Sequence, residues 1–261
     1  MNTSVRAASA LKNLPPFPPV AAKVMSLLQE GAVSFREVAE TLKTDAGLSA
    51  DVLHLANSAL LGPRYGVGNI LQAVSLLGMR RMTGLVLTLS MSKFLKRAGS
   101  QAPLRRCWRH NLACALAAKE FAHSFGRDQN EAYNAGLFHD VGRLAFLVLE
   151  PALYSGPLRT DADLQELERE RFGVDHCEAG AWLLEQWKLP QIFVDVARHH
   201  HAPKPEGAEL TMLVNAACVI ANRLGFYLVQ VEPEEIELDL SDDLGANIAD
   251  MINSLEREYG I

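Results

Sequence analysis

Cysteine is scarce in this 261-residue chain: Cys107, Cys114, Cys177 and Cys218 are the only four, and no two of them form a CxxC pair. The usual zinc-ribbon and thioredoxin-type spacings are thereby excluded, so the cysteines read as packing residues and no disulfide is expected. No apolar run approaches the roughly 18 residues that a membrane span needs. The N-terminal MNTSVRAASALKN also lacks the continuous apolar core of a signal peptide. A cytoplasmic protein without membrane contact is the expectation. Aromatic residues make up only 7% of the chain. No stretch alternates apolar with polar long enough to argue a strand; Leu85 to Leu89 comes nearest, and its flanks are helical.

A net charge of −6 argues against general nucleic-acid binding, yet each sign is locally missing. Arg80 to Arg109 holds eight cations (Arg80, Arg81, Lys93, Lys96, Arg97, Arg105, Arg106, Arg109) and no acid, whereas Glu232 to Asp243 holds seven acids and no base. Either run reads as a solvated face. Two further readings stay open. The acidic segment folds back on the basic one, or the basic run, with Arg80, Arg81, Arg105 and Arg106, receives an acidic or phosphorylated partner.

What is present is a globular composition, 49% hydrophobic and 21% charged, long enough for one large or two small cores. Leu14 to Pro19 is a helix-excluding entry, because proline fixes φ and withholds a donor. Helical spacing follows in Val20, Val24, Leu27 and Leu28. Ser34 to Glu37 has the form of a capping box, and Thr44 or Asp45 can cap a third helix. Gly78 separates a short apolar helix from a longer one over about 79–95. Gly99 to Pro103 is the best internal joint. Beyond it a helix from about Leu104 carries His110 and stops at Gly126. Asp163 to Arg171 has a thin apolar stripe among charges and reads as a surface helix. His176 opens another helix, Glu209 to Leu224 forms an apolar one, Leu228 to Val231 is a candidate extended piece, and Leu244 to Glu256 is amphipathic enough to dock. The tally is all-α.

The stretch AGLFHDVGRLAFL, Ala135 to Leu147, sets an imidazole and a carboxylate, His139 and Asp140, inside an apolar run, with Gly142 and Arg143 just beyond. A buried carboxylate costs several kcal/mol unless a metal, a cation or hydrogen bonds compensate it. The pair therefore either satisfies itself while capping a helix or belongs to a metal centre, and the residues alone leave both open. The same holds for His110, His176 and the run His199 to His201. His54 and His123 read as surface or helix-packing groups.

The order of motifs resembles the HDOD domain, the HD-related output domain of bacterial signalling proteins. The marks are the LPPFPP entry, an acidic residue before the third helix, Asn57-Ser58-Ala59, a helix ending in LLGMRR, then AGLFHDVGRL, HCEAGAWLLEQWKLP and HHAP. The resemblance implies an HD-like multi-helix bundle over 11–231, with an N-terminal helical subdomain (11–98) and an HD-like subdomain (104–231), followed by an acidic segment and a docking helix (232–261). In metal-dependent HD phosphohydrolases the ligand pattern runs H…HD…D. Carried over, it places His110, His139, Asp140, His176 and His200 as metal ligands, His199 leaving the register of the last uncertain by one, and Arg143 as a phosphate contact. The closing aspartate falls on Cys218, a thiol that should stay largely protonated in an apolar helix unless a metal holds it. The GYP stretch of cyclic-di-GMP phosphodiesterases is missing after the histidines, where the chain reads APKPEGAEL. The resemblance, with this broken ligand set, thus implies a signal-transduction output module with a degenerate HD site that acts by binding a signalling protein or a small nucleotide, its oligomeric state open. The alternative is a phosphohydrolase of phosphodiesters or nucleotides using a divalent Fe, Mn, Ni, Zn or Mg ion.

Overall fold

A computed structural model describes residues 11, 14, 16–29, 33–58, 66–98, 101–155, 160–202, 208–228 and 242–259. Among them there is no strand, and the helices run α1 (Pro19–Gln29), α2 (Phe35–Lys43), α3 (Ala46–Ala56), α4 (Ile70–Ala98), α5 (Ala102–Phe121), a 3-10 turn (Ala122–Phe125), α6 (Gln129–Phe138), α7 (Val141–Leu149), α8 (Asp161–Phe172), α9 (His176–Gln186), α10 (Gln191–His199), α11 (Glu209–Arg223) and α12 (Asp242–Tyr259). The all-α expectation holds.

Local chemistry sets many of the ends. Ser34 and Glu37 form the reciprocal capping box of α2, and Asp45 rather than Thr44 caps α3, accepting from the Leu48 amide. Gly126 closes the 3-10 turn in the left-handed region at φ 64°, where a residue without Cβ is unstrained. Gly78 interrupts α4 with φ 74° and ψ 161°, which matches the break expected there.

In the first half α2 and α3 pack on α4; in the second, α5, α6 and α11 form the centre, with α7, α9 and α10 on its flank. Trp108, Leu112, Leu137, Phe138, Leu144 and Phe146 are fully buried there. The halves meet through aromatic rings. Phe17 of the proline-rich entry stacks on Trp187, with centroids 4.6 Å apart, and Phe94 of α4 meets the same indole edge-on at 6.3 Å. Helix α12 docks on α5, where Arg109 pairs with Glu256 at 2.6 Å.

Three expectations need correction or fall outside view. Ile70–Lys96 is, by length and composition, apolar enough to cross a membrane, contrary to the reading of the runs; its kink at Gly78 and its packing against α2, α3 and α6 make it the spine of the bundle. Helix α8 is not purely a surface helix, because Glu168 is fully buried. Of the extended piece expected at Leu228 to Val231 only Leu228 is described, buried and in a bend, and the rest of it lies with most of the acidic run outside the described residues.

Candidate functional site

Five elements deliver the site. His110 and Cys114 stand one turn apart on α5 and so share a face. His139 and Asp140 occupy the two-residue turn between α6 and α7. His176 is the first residue of α9, whose N-cap Asp175 forms a capping box with Glu178. His200 is the C-cap of α10 and Cys218 sits within α11. All seven of these side chains, Asp175 and Glu178 aside, are at most 8% exposed.

Two glycines permit this convergence. A Cβ on Gly136 would meet the backbone of Ala115 at 2.8 Å, and one on Gly142 would lie 2.1 Å from the His176 carbonyl oxygen. Helix α6 therefore lies directly against α5, and α7 against α9, at spacings that no larger residue allows.

Asp140 is the charge at the centre. Its Oδ2 accepts from Arg143 Nη1 at 3.2 Å, while Oδ1 lies 3.3 Å from His200 Nε2 and 3.4 Å from His176 Nε2. Burial pushes the Asp140 carboxyl up, but the Arg143 guanidinium, with His139 and His176, outweighs it and holds the group well below the usual carboxylate range. Burial alone would lower His200; Asp140 and Cys177 reverse that and raise it to about 10. Arg143 also reaches His201, Nη2 to Nε2 at 3.3 Å.

Glu168 was invisible among its charged neighbours. Its carboxylate accepts from Tyr154 Oη at 2.6 Å, from the His176 amide at 2.8 Å and from His176 Nδ1 at 2.7 Å, and it faces Arg143 Nε at 3.6 Å. It lies one turn after Leu164, itself buried, so the apolar stripe of α8 continues through it; that i+4 spacing is the available signal. Cys114 was also missed. Its thiol donates to the Cys218 sulfur across 3.4 Å, and His110 Nε2 is 3.6 Å from it. That contact from Cys114 is the main cause holding Cys218 well below the thiol range, with His139 adding to it against burial. The protonated Cys218 expected from an apolar helix is thus not what the site favours.

The metal implied by the family resemblance can be tested on the donor atoms. His139 Nε2, Asp140 Oδ1 and His200 Nε2 are buried without a hydrogen-bond partner and lie within 4.8 Å of one another, as ligands of one cation would. These three fit. His176 meets Asp140 through Nε2 and groups with His200, Cys177 and His201 as a further set of donors, its Nδ1 being held by Glu168, and His110 stands with the two thiols rather than with the carboxylate. Imidazole and sulfur outnumber the single carboxylate, a set better suited to a borderline or soft ion than to magnesium.

The cations proposed for partner binding are dispersed in role. Arg80 pairs with Asp128 at 2.5 Å, and Lys93 with Asp51 at 2.9 Å. Arg81, Arg105 and Arg106 are exposed. His54 and His123 are exposed, away from the histidine cluster.

Comparison with known proteins gives a consistent picture. Residues 14–203 match the model of the HDOD domain family. A relative from Treponema pallidum (strain Nichols), named only as an uncharacterized protein, is 24% identical over 208 residues, 74% of this chain; the chain spans 39% of that relative's length. Among solved structures, an HDOD domain protein from Geobacter sulfurreducens superposes with a TM-score of 0.65 at 23% identity, covering 98% of this chain and 97% of that one. A protein from Shewanella amazonensis SB2B, provisionally named a phosphohydrolase, gives 0.69 at 24% identity over 98% and 88% of the two chains. These similarities establish the helical fold.

Proposed function

Because this chain belongs to the HDOD family, we propose that it is a signal-transduction output module that works by recognition, its hydrolase-type site no longer competent for phosphoester cleavage. One observation carries this reading: Cys218 takes the place of the closing carboxylate, its sulfur grouped with His110, Cys114 and His139. A phosphohydrolase of this type needs a metal that generates hydroxide and neutralises phosphoryl oxygens. Such a metal, held by His139, Asp140 and His200, would supply that chemistry, but Asp140 is the one carboxylate among these donors and Arg143 already compensates it. Arg143, proposed as a phosphate contact, instead joins Asp140 to His201 and Glu168, which leaves it committed within the protein.

The same reading places the partner, a signalling protein or small nucleotide, near the start of α5. Arg105 and Arg106 lie close to the N-terminus of that helix, where the macrodipole disfavours cations. Helix stability gives no reason for them, and an anionic partner does.

Purified protein offered a panel of phosphodiesters and nucleotides with manganese or iron should show no turnover above background. Turnover that Asp140→Ala abolishes overturns the proposal in favour of the hydrolase, the reading supported by the converging orphan atoms of His139, Asp140 and His200.

A further inference from the structure

Beside Asp140 lies a group of donors that departs from the hydrolytic pattern: His110 and His139 keep its histidine positions, Cys218 stands at its closing aspartate and Cys114 is added, and the ligand atoms of these four residues all fall within 4.8 Å of one another. All four are buried. We propose that these residues form a closed, four-coordinate site for a zinc-type ion, bound as two thiolates and two imidazoles, which staples α5, the α6–α7 turn and α11 together.

Two of the donor distances approach those of a tetrahedron. Metal–sulfur bonds of about 2.3 Å and metal–nitrogen bonds of about 2.0–2.1 Å set ligand atoms about 3.8 Å apart between sulfurs and about 3.5–3.6 Å apart between sulfur and nitrogen. Here Cys114 Sγ is 3.4 Å from Cys218 Sγ and 3.6 Å from His110 Nε2. A small opening of the sulfur pair would bring it to the tetrahedral value, and the remaining pairs lie within 4.8 Å.

The imidazoles are pre-set. His110 Nδ1 lies 2.7 Å from the Phe226 carbonyl oxygen, and His139 Nδ1 lies 2.7 Å from that of Gly136. A carbonyl only accepts, so each Nδ1 carries the proton and each Nε2 turns inward, the arrangement that orients metal-bound histidines. His139 Nε2 is buried and has no hydrogen-bond partner, so it points at a ligand the chain does not itself supply. The charge also balances. Two thiolates offset a divalent cation, any proton still on a sulfur leaving to solvent, so the filled site with its neutral imidazoles carries no net charge.

Four protein ligands leave no open position for water, which makes this a structural rather than a catalytic ion. The inference goes beyond the recognition reading and stands apart from it. Absence of metal would remove this site and leave that reading untouched, whereas phosphoester turnover would remove that reading alone.

The test uses the full chain purified under reducing conditions. Elemental analysis should find a single zinc-type ion per chain. After exchange for cobalt, the spectrum should show intense tetrahedral d–d bands and a thiolate-to-cobalt charge-transfer band. Cys114→Ala should cut that band by about half, by the loss of one of two thiolates. Cys218→Asp guards against a variant that simply fails to fold, because it supplies the carboxylate that the fold's relatives of hydrolase type use; it should keep the cobalt and lose half the band. Cys177→Ala should leave the band unchanged. Overturning results are protein that holds no metal and shows Cys114 and Cys218 as free thiols or a disulfide, cobalt bound with no charge-transfer band, or a band lost in Cys177→Ala.

Discussion

Replacing Glu168 by Ala tests how the histidine cluster is held. In one step it deprives the Tyr154 hydroxyl, the His176 amide and His176 Nδ1 of their acceptor, and leaves Arg143 facing one carboxylate instead of two. All of this happens at a site with no solvent exposure, so water cannot compensate. Breaking a buried pair by removing one partner costs about 3–5 kcal/mol, and at about 2–4 °C per kcal/mol for a protein of this size the melting temperature should fall by about 6–20 °C. Thermal unfolding followed by circular dichroism reads this directly. Glu170→Ala, an exposed change on the same helix, should stay within about 0.5 kcal/mol of wild type. Glu168→Gln keeps the shape but not the charge and should fall between them. Equal melting temperatures for Glu168→Ala and Glu170→Ala would refute the role assigned to Glu168.

Arg143→Met removes the cation between Asp140 and Glu168 and should cost about 3–5 kcal/mol in urea unfolding; a loss below 1 kcal/mol, on the order of an exposed ion pair, would show that the histidines alone neutralise Asp140. Gly142→Ala should destabilise by about 3 kcal/mol or more, because its Cβ meets the His176 carbonyl at 2.1 Å, a backbone atom that cannot rotate away. Gly66→Ala, with nothing within 4 Å, is its control, and similar melting curves for the two would contradict the packing argument. For metal-free protein the pH profile has two flanks. The folded-state value of Asp140 is depressed, so its contribution is present above the ordinary carboxylate range and is lost as pH falls through that lowered value. His200 is raised from 6.5 to about 10, so its contribution is full below pH 6.5 and is lost as pH climbs towards 10. The urea midpoint should be highest between those flanks; a midpoint that rises from pH 6.5 to 10 would contradict the assignment.

Much of this was legible in the residues, for local reasons. Ser34, Glu37, Asp45, Gly78 and Gly126 act within one or two turns of themselves, so their chemistry shows in the order of letters. His139 and Asp140 announced themselves by placing charge in an apolar run, and the Gly beside them by its position. Glu168 did not, because Glu166, Arg169 and Glu170 surround it and burial depends on how α8 lies against α7 and α9, a matter of tertiary packing. Cys114 was hidden for a related reason. Reading cysteines by CxxC spacing overlooks a pair separated by 104 residues, although the one-turn interval from His110 to Cys114 was a usable clue. The partners of Arg80, Lys93 and Arg109 likewise come from remote helices, so a charge run could not reveal which cations were already engaged.

The seam at Gly142 and Gly180 sets main chain against main chain between α7 and α9: a Cβ on Gly142 would lie 2.8 Å from Gly180 N, and one on Gly180 a tight 3.3 Å from Gly142 N. A mould cast in backbone does not depend on the atoms poured into it. Exchanging sulfur for oxygen at position 218, or imidazole for a thiol elsewhere in the cluster, changes which ion or ligand is held while the walls keep their places, so the pocket's chemistry can be rewritten one letter at a time.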